Sequence, residues 1–255
     1  MLDATTVAAH FLNANMGWNG GRLEGVVTAK ETPPQRRMGL VDDVERGVKG
    51  FIDPYPWQTE TCLGNWFYGE DYFLNKRYKT PAKVIHTLCD VVAKNGNLML
   101  SVPIRGDGTI DAEEHRIVEA IGAWLGKNGG AIYGSRPWRV FGEGPTQVGG
   151  GAMSEGGNDT PYAARDVRYV TKGGRLHALV LGWPADGVAR LTMLGAARAV
   201  GHGAVEAVTL IDGTPLAFRR TGEALEVHLP ERARDPLGVA LAMAGQGIAE
   251  GGLAG

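Results

Sequence analysis

The clearest pattern of hydrophobic and polar positions lies in the middle of the chain. Residues 98–104 form an apolar run without helical period, which predicts a strand buried on both faces, as in a parallel sheet. Gly106 and Gly108 interrupt this run, and Asp111 is followed by Glu114 at the spacing of a helix capping box. The apolar positions of the helix that begins there share one face: Ile117, Ile121, Trp124 and Leu125. A buried strand followed by a covering helix is one unit of an α/β domain.

Strands and helices alternate through the first 135 residues. Besides the central pair, the pattern predicts these elements: helices over 3–15 and 81–94, and strands over 23–29, 38–44 and 61–63. Pro81 lies at a position that helices tolerate in their first turn. Alternating strands and helices predict parallel βα units, so we expect an α/β region over residues 1–135.

The pattern changes after Trp138. A glycine-rich stretch without period predicts a linker over residues 136–165. Short strands separated by turn residues follow: 167–171, 176–182, 188–193, 204–211, 225–229 and 239–242. They predict an antiparallel β-sandwich over residues 166–245, and residues 246–255 are expected to be a flexible tail. The predicted fold is therefore α/β followed by all-β.

Composition excludes several classes of function. The chain has 255 residues, 44% of them hydrophobic, as in a globular protein of one large or two ordinary domains. The formal net charge of −2 argues against nucleic acid or an anionic membrane as a partner. Cys62 and Cys89 have no metal-site spacing, so buried free thiols are expected, with a disulfide as the minor alternative. The N-terminus lacks the pattern of a secretory signal, which by default predicts a cytoplasmic protein.

Several segments resemble one enzyme family. NGNLMLSVP, GDGTID and IGAWLGKNGGAIYGSRPW follow one another in the order found at the end of the catalytic barrel of retaining α-L-fucosidases, glycoside hydrolase family 29. PYPWQTETCLGNWFY resembles a late-barrel loop of that family, and DVRYVTK and LVLGWP resemble the start of its C-terminal β domain. A complete (β/α)8 barrel needs about 250 residues. The resemblance therefore implies a partial (β/α)8-type barrel, beginning near the fifth strand, plus an antiparallel β-sandwich.

The resemblance also implies a reaction, the hydrolysis of terminal α-L-fucosyl linkages with retention of configuration. Such an enzyme acts on a fucosylated glycan or oligosaccharide and needs no cofactor and no metal. Retaining hydrolysis normally uses two carboxyl groups, a nucleophile and a general acid/base. The family's nucleophilic aspartate lies upstream of the part that matches residues 8–11, so no residue of this chain is assigned that role.

The resemblance places the general acid/base at Glu45, in LVDDVERG. Glu60, in WQTET, is the second candidate. The ordinary interpretation of Glu45 is a solvated carboxylate paired with Arg46. Asp42 and Asp43 could replace the missing nucleophile, but a solvated turn is the favoured interpretation of that pair.

Aromatic residues and one arginine are the candidates for substrate binding. Tyr55, Trp57 and Trp66 could form walls against the apolar C–H faces of a sugar and the methyl group of fucose. Arg46 lies next to the expected acid. The alternative for the aromatic residues is ordinary core packing.

Two further expectations concern the protein as a whole. If the carboxylate pair is incomplete, the chain is a non-catalytic carbohydrate-binding or structural remnant of the family. Half a barrel would leave unpaired strand edges near residues 23–27 and 98–102, together with uncovered apolar faces. The sequence therefore predicts a homo-oligomer.

Overall fold

The computed structural model describes residues 3–30, 32–37, 39–157, 161–201 and 203–252. The elements of its first part are α1 (Ala4–Trp18), β1 (Thr28–Lys30), β2 (Val41–Glu45), β3 (Trp57–Cys62), α2 (Glu70–Leu74), α3 (Pro81–Ala93), β4 (Gly96–Ser101) and α4 (Ala112–Asn128). Strands make up the second part: β5 (Arg136–Glu143), β6 (Val167–Lys172), β7 (Arg175–Val180), β8 (Val188–Leu191), β9 (Ala207–Leu210), β10 (Phe218–Arg220), β11 (Leu225–His228) and β12 (Val239–Ala244). The predicted order of an α/β region followed by a β region is confirmed.

The first part contains one parallel sheet with the order β1-β2-β3-β4. In the described residues it is an open sheet with β1 and β4 at its edges, and it does not close into a barrel. The predicted strand at 23–29 shrinks to three residues at its end, while the one at 61–63 extends back to Trp57. Met38, where another strand was expected to begin, lies outside the described residues.

Local sequence explains where the helices begin. Thr80 caps α3, with Pro81 in its first turn. The predicted capping box of α4 is confirmed, because Asp111 accepts from the backbone of Glu114 and the Glu114 side chain accepts from the backbone of Asp111. Trp124 on this helix is buried, and its indole Nε1 donates to the carbonyl of Gly238 at 2.8 Å. The helix register predicted from the apolar stripe is therefore confirmed.

The two faces of the parallel sheet differ. One face packs against the apolar side of α3, where Val44, Trp57 and Val91 form a cluster with half-buried Leu98. Successive strand residues point to opposite faces, so Met99 lies on the other face, where 48% of it is exposed. The prediction that β4 is buried on both faces is wrong, because no helix among the described residues covers this second face.

The second part contains two antiparallel sheets, β5-β6-β7-β12-β9 and β10-β11-β8. Both contribute to one hydrophobic cluster, which includes Tyr169 and Leu241 from the larger sheet and Leu191 and Leu225 from the smaller one. The other face of the larger sheet packs on α3 and α4 through residues such as Leu179. The five-stranded sheet is thus the middle layer between the helices and the small sheet.

The predicted boundaries of the second part need two corrections. The linker does not begin at residue 136, because Arg136–Glu143 is strand β5 and pairs with β6. The expected flexible tail begins with ordered structure, since Ile248 is completely buried in the cluster that both antiparallel sheets share. Pro137 and Gly142 obscure the strand pattern of β5, and one apolar residue in a small-residue tail gives no period.

The glycine-rich stretch after β5 packs against the loop between β2 and β3. Val48 and Gly151 form an isolated antiparallel bridge. A Cβ atom on Gly47 would lie 2.0 Å from the carbonyl oxygen of Gly151, so only glycine permits this approach. The stretch therefore covers the end of β2 and carries Ser154 and Glu155 to it.

Candidate active site

Two glutamates face each other at the carboxyl ends of neighbouring parallel strands. Glu45 is the last residue of β2 and lies opposite Glu60 of β3 in the strand register. Lys30, the last residue of β1, places its Nζ 2.8 Å from Oε2 of Glu45 and 2.6 Å from Oε1 of Glu60. These two carboxylate oxygens therefore lie no more than about 5.4 Å apart, the sum of the two distances. Both residues that the sequence offered as acid/base candidates belong to one site.

The two glutamates differ in their access to solvent. The Glu45 side chain is 38% exposed, whereas that of Glu60 is 4% exposed. Hydrogen bonds to both carboxylates raise the pKa of Lys30, so its ammonium group stays charged. Glu45 is therefore an ion-paired carboxylate that a ligand can reach, whereas Glu60 is a buried carboxylate that pairs with the same lysine.

Asp43 completes the acidic group from within β2. It lies two residues before Glu45, on the same face, and its side chain is buried. Burial, followed by the hydrogen bond to Glu60 and its charge, raises the pKa of Asp43 to about 7. Burial acts in the same direction on Glu60, but hydrogen bonds from Asp43 and Lys30 outweigh it and lower the pKa of Glu60.

The interpretation of Asp42 and Asp43 as a solvated turn is wrong. Both residues lie on β2 and both are buried. Asp42 points to the opposite face, where Lys49 donates to it at 2.7 Å and also binds Asp53 at 2.6 Å. This buried ion pair anchors the loop between β2 and β3. In the sequence, two adjacent acidic residues suggest a solvated turn. The cations that pair with them and allow their burial on a strand are evident only in the folded structure.

Arg46 does not pair with Glu45, contrary to the ordinary interpretation of that glutamate. Its guanidinium binds Glu155 from the glycine-rich stretch at 2.8 Å. Burial favours the neutral form of Glu155, but hydrogen bonds from Thr61 and Arg46 lower its pKa overall, and Lys79 lies 3.2 Å away. Glu155 was missed from the sequence because 109 residues separate it from Arg46.

The aromatic candidates do not form one wall. Trp57 is 0% exposed, and its indole donates to the carbonyl of Lys94, so the expectation that it contacts a sugar is wrong. Tyr55 precedes β3 and lies at the amino end of the sheet, away from the glutamates. Trp66 follows the carboxyl end of β3 and is half-buried; the neighbouring Phe67, which the sequence analysis did not select, is 83% exposed.

Other chemistry is limited in the part of the chain that the structure describes. Cys62 and Cys89 are free and buried, as predicted. Over the same described ranges, no group of three or more His, Cys, Asp or Glu side chains is arranged to hold a metal ion. No described helix has the length and apolar character needed to cross a membrane. The carboxylates and Lys30 thus remain the candidate site.

Sequence and fold comparisons both relate this chain to α-L-fucosidases. The family model for α-L-fucosidase matches residues 16–130. Human tissue α-L-fucosidase is 30% identical over 142 residues, which are 55% of this chain and 26% of that enzyme. Human plasma α-L-fucosidase is 29% identical over 178 residues, 68% of this chain and 33% of the relative. The chain thus spans a third or less of these relatives.

The fold comparison covers nearly the whole chain. The crystal structure of an α-fucosidase from Thermotoga maritima matches 94% of this chain and 50% of its own length, with a TM-score of 0.67 and 21% sequence identity. At that identity the match shows the fold, and it extends from the parallel sheet into the antiparallel part. The chain is thus similar to α-L-fucosidases in sequence over residues 16–130 and in fold over nearly its whole length.

Proposed function

We propose that this chain carries the general acid/base of a retaining α-L-fucosidase and that Glu45 is that residue. The observation that supports the proposal is the position of Glu45. It is a solvent-facing carboxylate at the carboxyl end of a parallel strand, where α/β enzymes hold their catalytic groups, and Lys30 fixes it. Glu60 occupies the same site but is almost completely buried.

Glu45 would act twice in the reaction. As an acid it would protonate the glycosidic oxygen while the bond to the fucosyl carbon breaks, and as a base it would take a proton from the water that attacks next. Lys30 restricts the orientation of the carboxylate, which reduces the entropy lost when a substrate binds. Retaining glycosidases place their two carboxyl groups about 5–5.5 Å apart. The distances to Lys30 hold one oxygen of Glu60 within about 5.4 Å of one oxygen of Glu45, but the burial of Glu60 leads us to assign no nucleophile.

A half-buried and an exposed aromatic residue at the same edge of the sheet suit a fucosyl ligand. Trp66 and Phe67 follow the strand that carries Glu60. Their rings can pack on the apolar C–H face of a sugar or on the methyl group of fucose. The Thermotoga maritima relative has been crystallised with fucose and with a mechanism-based inhibitor. A fucosylated glycan or oligosaccharide is therefore the proposed substrate class.

Hydrolysis of 4-nitrophenyl α-L-fucoside tests the activity. We expect release of nitrophenolate and initial formation of α-L-fucose, the product of retention. A 2-fluoro-fucosyl trap followed by peptide mass spectrometry would identify the nucleophile. The absence of turnover together with measurable fucose binding would contradict the catalytic proposal.

The second candidate function is carbohydrate binding without catalysis. The observation that favours it is the burial of Glu60 and Asp43, which leaves Glu45 as the accessible carboxylate of this group. A binding protein needs no second carboxylate. Titration calorimetry with fucose, with the hydrolysis assay run in parallel, separates the two functions.

We also propose that copies of the chain associate through α1 and the edge strand β1. The helix buries none of its residues, and Val7, Phe11 and Val26 form an exposed apolar surface with neighbouring side chains. Such surfaces mark interfaces in proteins of this size. Size exclusion with light scattering tests the idea, and a monomer of 27.1 kDa at micromolar concentration would contradict it.

A further inference from the structure

Two buried carboxyl groups lie on neighbouring strands beneath Lys30, and one oxygen of each has no donor in the described part of the chain. Asp43 is 8% exposed and Glu60 is 3% exposed. Oδ1 of Asp43 and Oε2 of Glu60 are both buried, and neither accepts a hydrogen bond from a donor in the described part of the chain. Asp43 lies opposite Gln58 in the strand register, so Glu60, two residues further along β3, is its diagonal neighbour on the same face of the sheet, and a hydrogen bond between the two carboxyl groups raises the pKa of Asp43. Two acceptors in this arrangement require a proton between them.

The charged groups around this pair come from three strands. Lys30 of β1 contacts Oε1 of Glu60, which leaves Oε2 as the oxygen without a donor. Glu45 of β2 shares the same ammonium. The neighbouring strand β4 contributes the uncharged Asn97 and Met99 to this face.

On the opposite face of the sheet the nearby cations are already occupied. Lys49 and Arg37 both bind Asp42, and both also bind Asp53. One ammonium, that of Lys30, therefore serves three carboxyl groups on the polar face.

We propose that Asp43 is a positioning residue for the reaction proposed above: the proton that it shares with Glu60 leaves Lys30 able to hold Glu45, and loss of that proton releases Glu45. The inference rests on the proposed function for its catalytic consequence. The shared proton itself does not, because it is a property of the resting protein.

Charge balance explains the effect. With the proton in place, Asp43 is neutral and Glu60 carries one negative charge, so Lys30 bridges two carboxylates. Once the proton leaves to solvent, the buried pair carries two negative charges, and electrostatic attraction draws the ammonium towards it. Glu45 then loses its fixed partner. No covalent bond changes in this step.

The pH range over which the shared proton is exchanged follows from the environment of Asp43. Burial and the adjacent Glu60 raise its pKa to about 7, so the proton is exchanged near neutral pH. Above that value the occupied fraction falls about tenfold for each pH unit. A change of two pH units around neutrality would therefore switch most molecules between the two arrangements.

Carbon-detected NMR of the aspartate carboxyl groups tests the shared proton directly. In the native chain we expect one aspartate carboxyl carbon to titrate near pH 7. Asp43→Asn should remove that signal, while Asp71→Asn, at an exposed aspartate, should leave it in place. Absence of any aspartate titration above about pH 6 would overturn the proposal.

Glu60→Gln separates proton sharing from burial. The substitution keeps the size of the side chain but removes the anionic acceptor, so the titration of Asp43 should move to lower pH by at least one unit. An unchanged titration near pH 7 would show that burial alone holds the proton, which would also overturn the proposal.

The catalytic consequence has its own readout. If the chain hydrolyses a fucosyl disaccharide, whose leaving group needs protonation by Glu45, kcat/KM should fall by about fivefold between pH 7 and 8 in the native chain. In Asp43→Asn, whose amide imitates the protonated carboxyl, the ratio between these two values should approach one. A normal NMR titration with no hydrolysis would contradict only the proposed function, whereas an unaltered pH profile in Asp43→Asn would contradict the positioning role.

Discussion

The two faces of the parallel sheet show how one set of strands can serve stability and chemistry separately. The face towards α3 is closed by Val44, Trp57 and Val91. The opposite face presents Lys30, Glu45 and a row of polar groups at the carboxyl ends of the strands. Strand alternation alone separates the two sets, since each residue lies two positions from the next member of its own face.

Buried charged groups have different roles on the two faces of the sheet, and only one of the two arrangements stabilises the core. On the helix side, Asp90 of α3 binds Lys94 and Arg168 at 2.6 Å each, and this ion group joins the helix to the five-stranded sheet. On the polar face, the buried carboxyl of Asp43 has another carboxyl, that of Glu60, as its neighbour, and the Gln58 side chain and the charge of Lys30 only partly offset the effect on its pKa. The first arrangement satisfies its charges, whereas the second keeps a proton that can exchange. We therefore expect substitutions on the two faces to affect different measurements.

The largest expected effect on stability lies on the helix side. Trp124→Ala should lower the free energy of unfolding by ~3–5 kcal/mol, because it removes a large buried side chain between α4 and the five-stranded sheet. Chemical denaturation measures the change. Trp18→Ala is the matched control, since Trp18 is 73% exposed and its loss should change stability by no more than about 0.5 kcal/mol. Equal effects of the two substitutions would contradict the described packing.

The next effect in size is catalytic and belongs to Lys30. Hydrogen bonds to charged groups contribute about 1.5–3 kcal/mol. Lys30→Met should therefore lower kcat on a fucosyl disaccharide by about 10- to 100-fold, with a smaller change in KM, because the ammonium orients Glu45. Lys127→Met, at an exposed lysine of α4, is the control. A kcat of Lys30→Met equal to that of the control would mean that Lys30 does not position the acid.

The third effect concerns stability and pH. In the folded chain the pKa of Asp43 is about 7, above the ordinary aspartate value of 3.8, so the folded state holds more protons than the unfolded state between these values. Stability from this group is complete below about pH 4 and is lost as pH rises to about 7, by at most about 1.4 kcal/mol per pH unit. Denaturation of the native chain and Asp43→Asn at pH 4.5, 6 and 7.5 measures it. A difference between them that stays constant with pH would contradict the shift.

Much of the fold could be predicted from the sequence, because regular periods report local structure. The capping box at Asp111 and the apolar stripe through Trp124 fix α4 without any tertiary information. Strand β5 was missed because Pro137 and Gly142 are unusual in a strand and obscure its pattern. Its pairing partner β6 also lies beyond the glycine-rich stretch. The local sequence pattern therefore predicts secondary-structure elements well, but it fails where pairing between strands distant in the sequence determines the structure.

The site could be predicted only in part. The family resemblance selected Glu45 and Glu60, and the structure places both on Lys30. Lys30 itself was not selected, because a single lysine at the end of a short strand has no distinguishing pattern. Trp57 was expected to face a sugar, yet strand alternation directs it into the core. The face on which a strand residue lies depends on where the strand begins, and the sequence pattern did not fix that position for β3.

The measurement that tests the central claim most directly is the leaving-group dependence of Glu45→Gln. If Glu45 is the general acid, kcat/KM of the variant should fall by ~10²–10⁴-fold on a fucosyl disaccharide, whose leaving group needs protonation. The loss should be much smaller on 4-nitrophenyl α-L-fucoside, whose leaving group needs almost none. Glu119→Gln, at an exposed position of α4, should match the native chain on both substrates. An equal loss on both substrates in Glu45→Gln, or a leaving-group-dependent loss found in Glu60→Gln instead, would contradict the account.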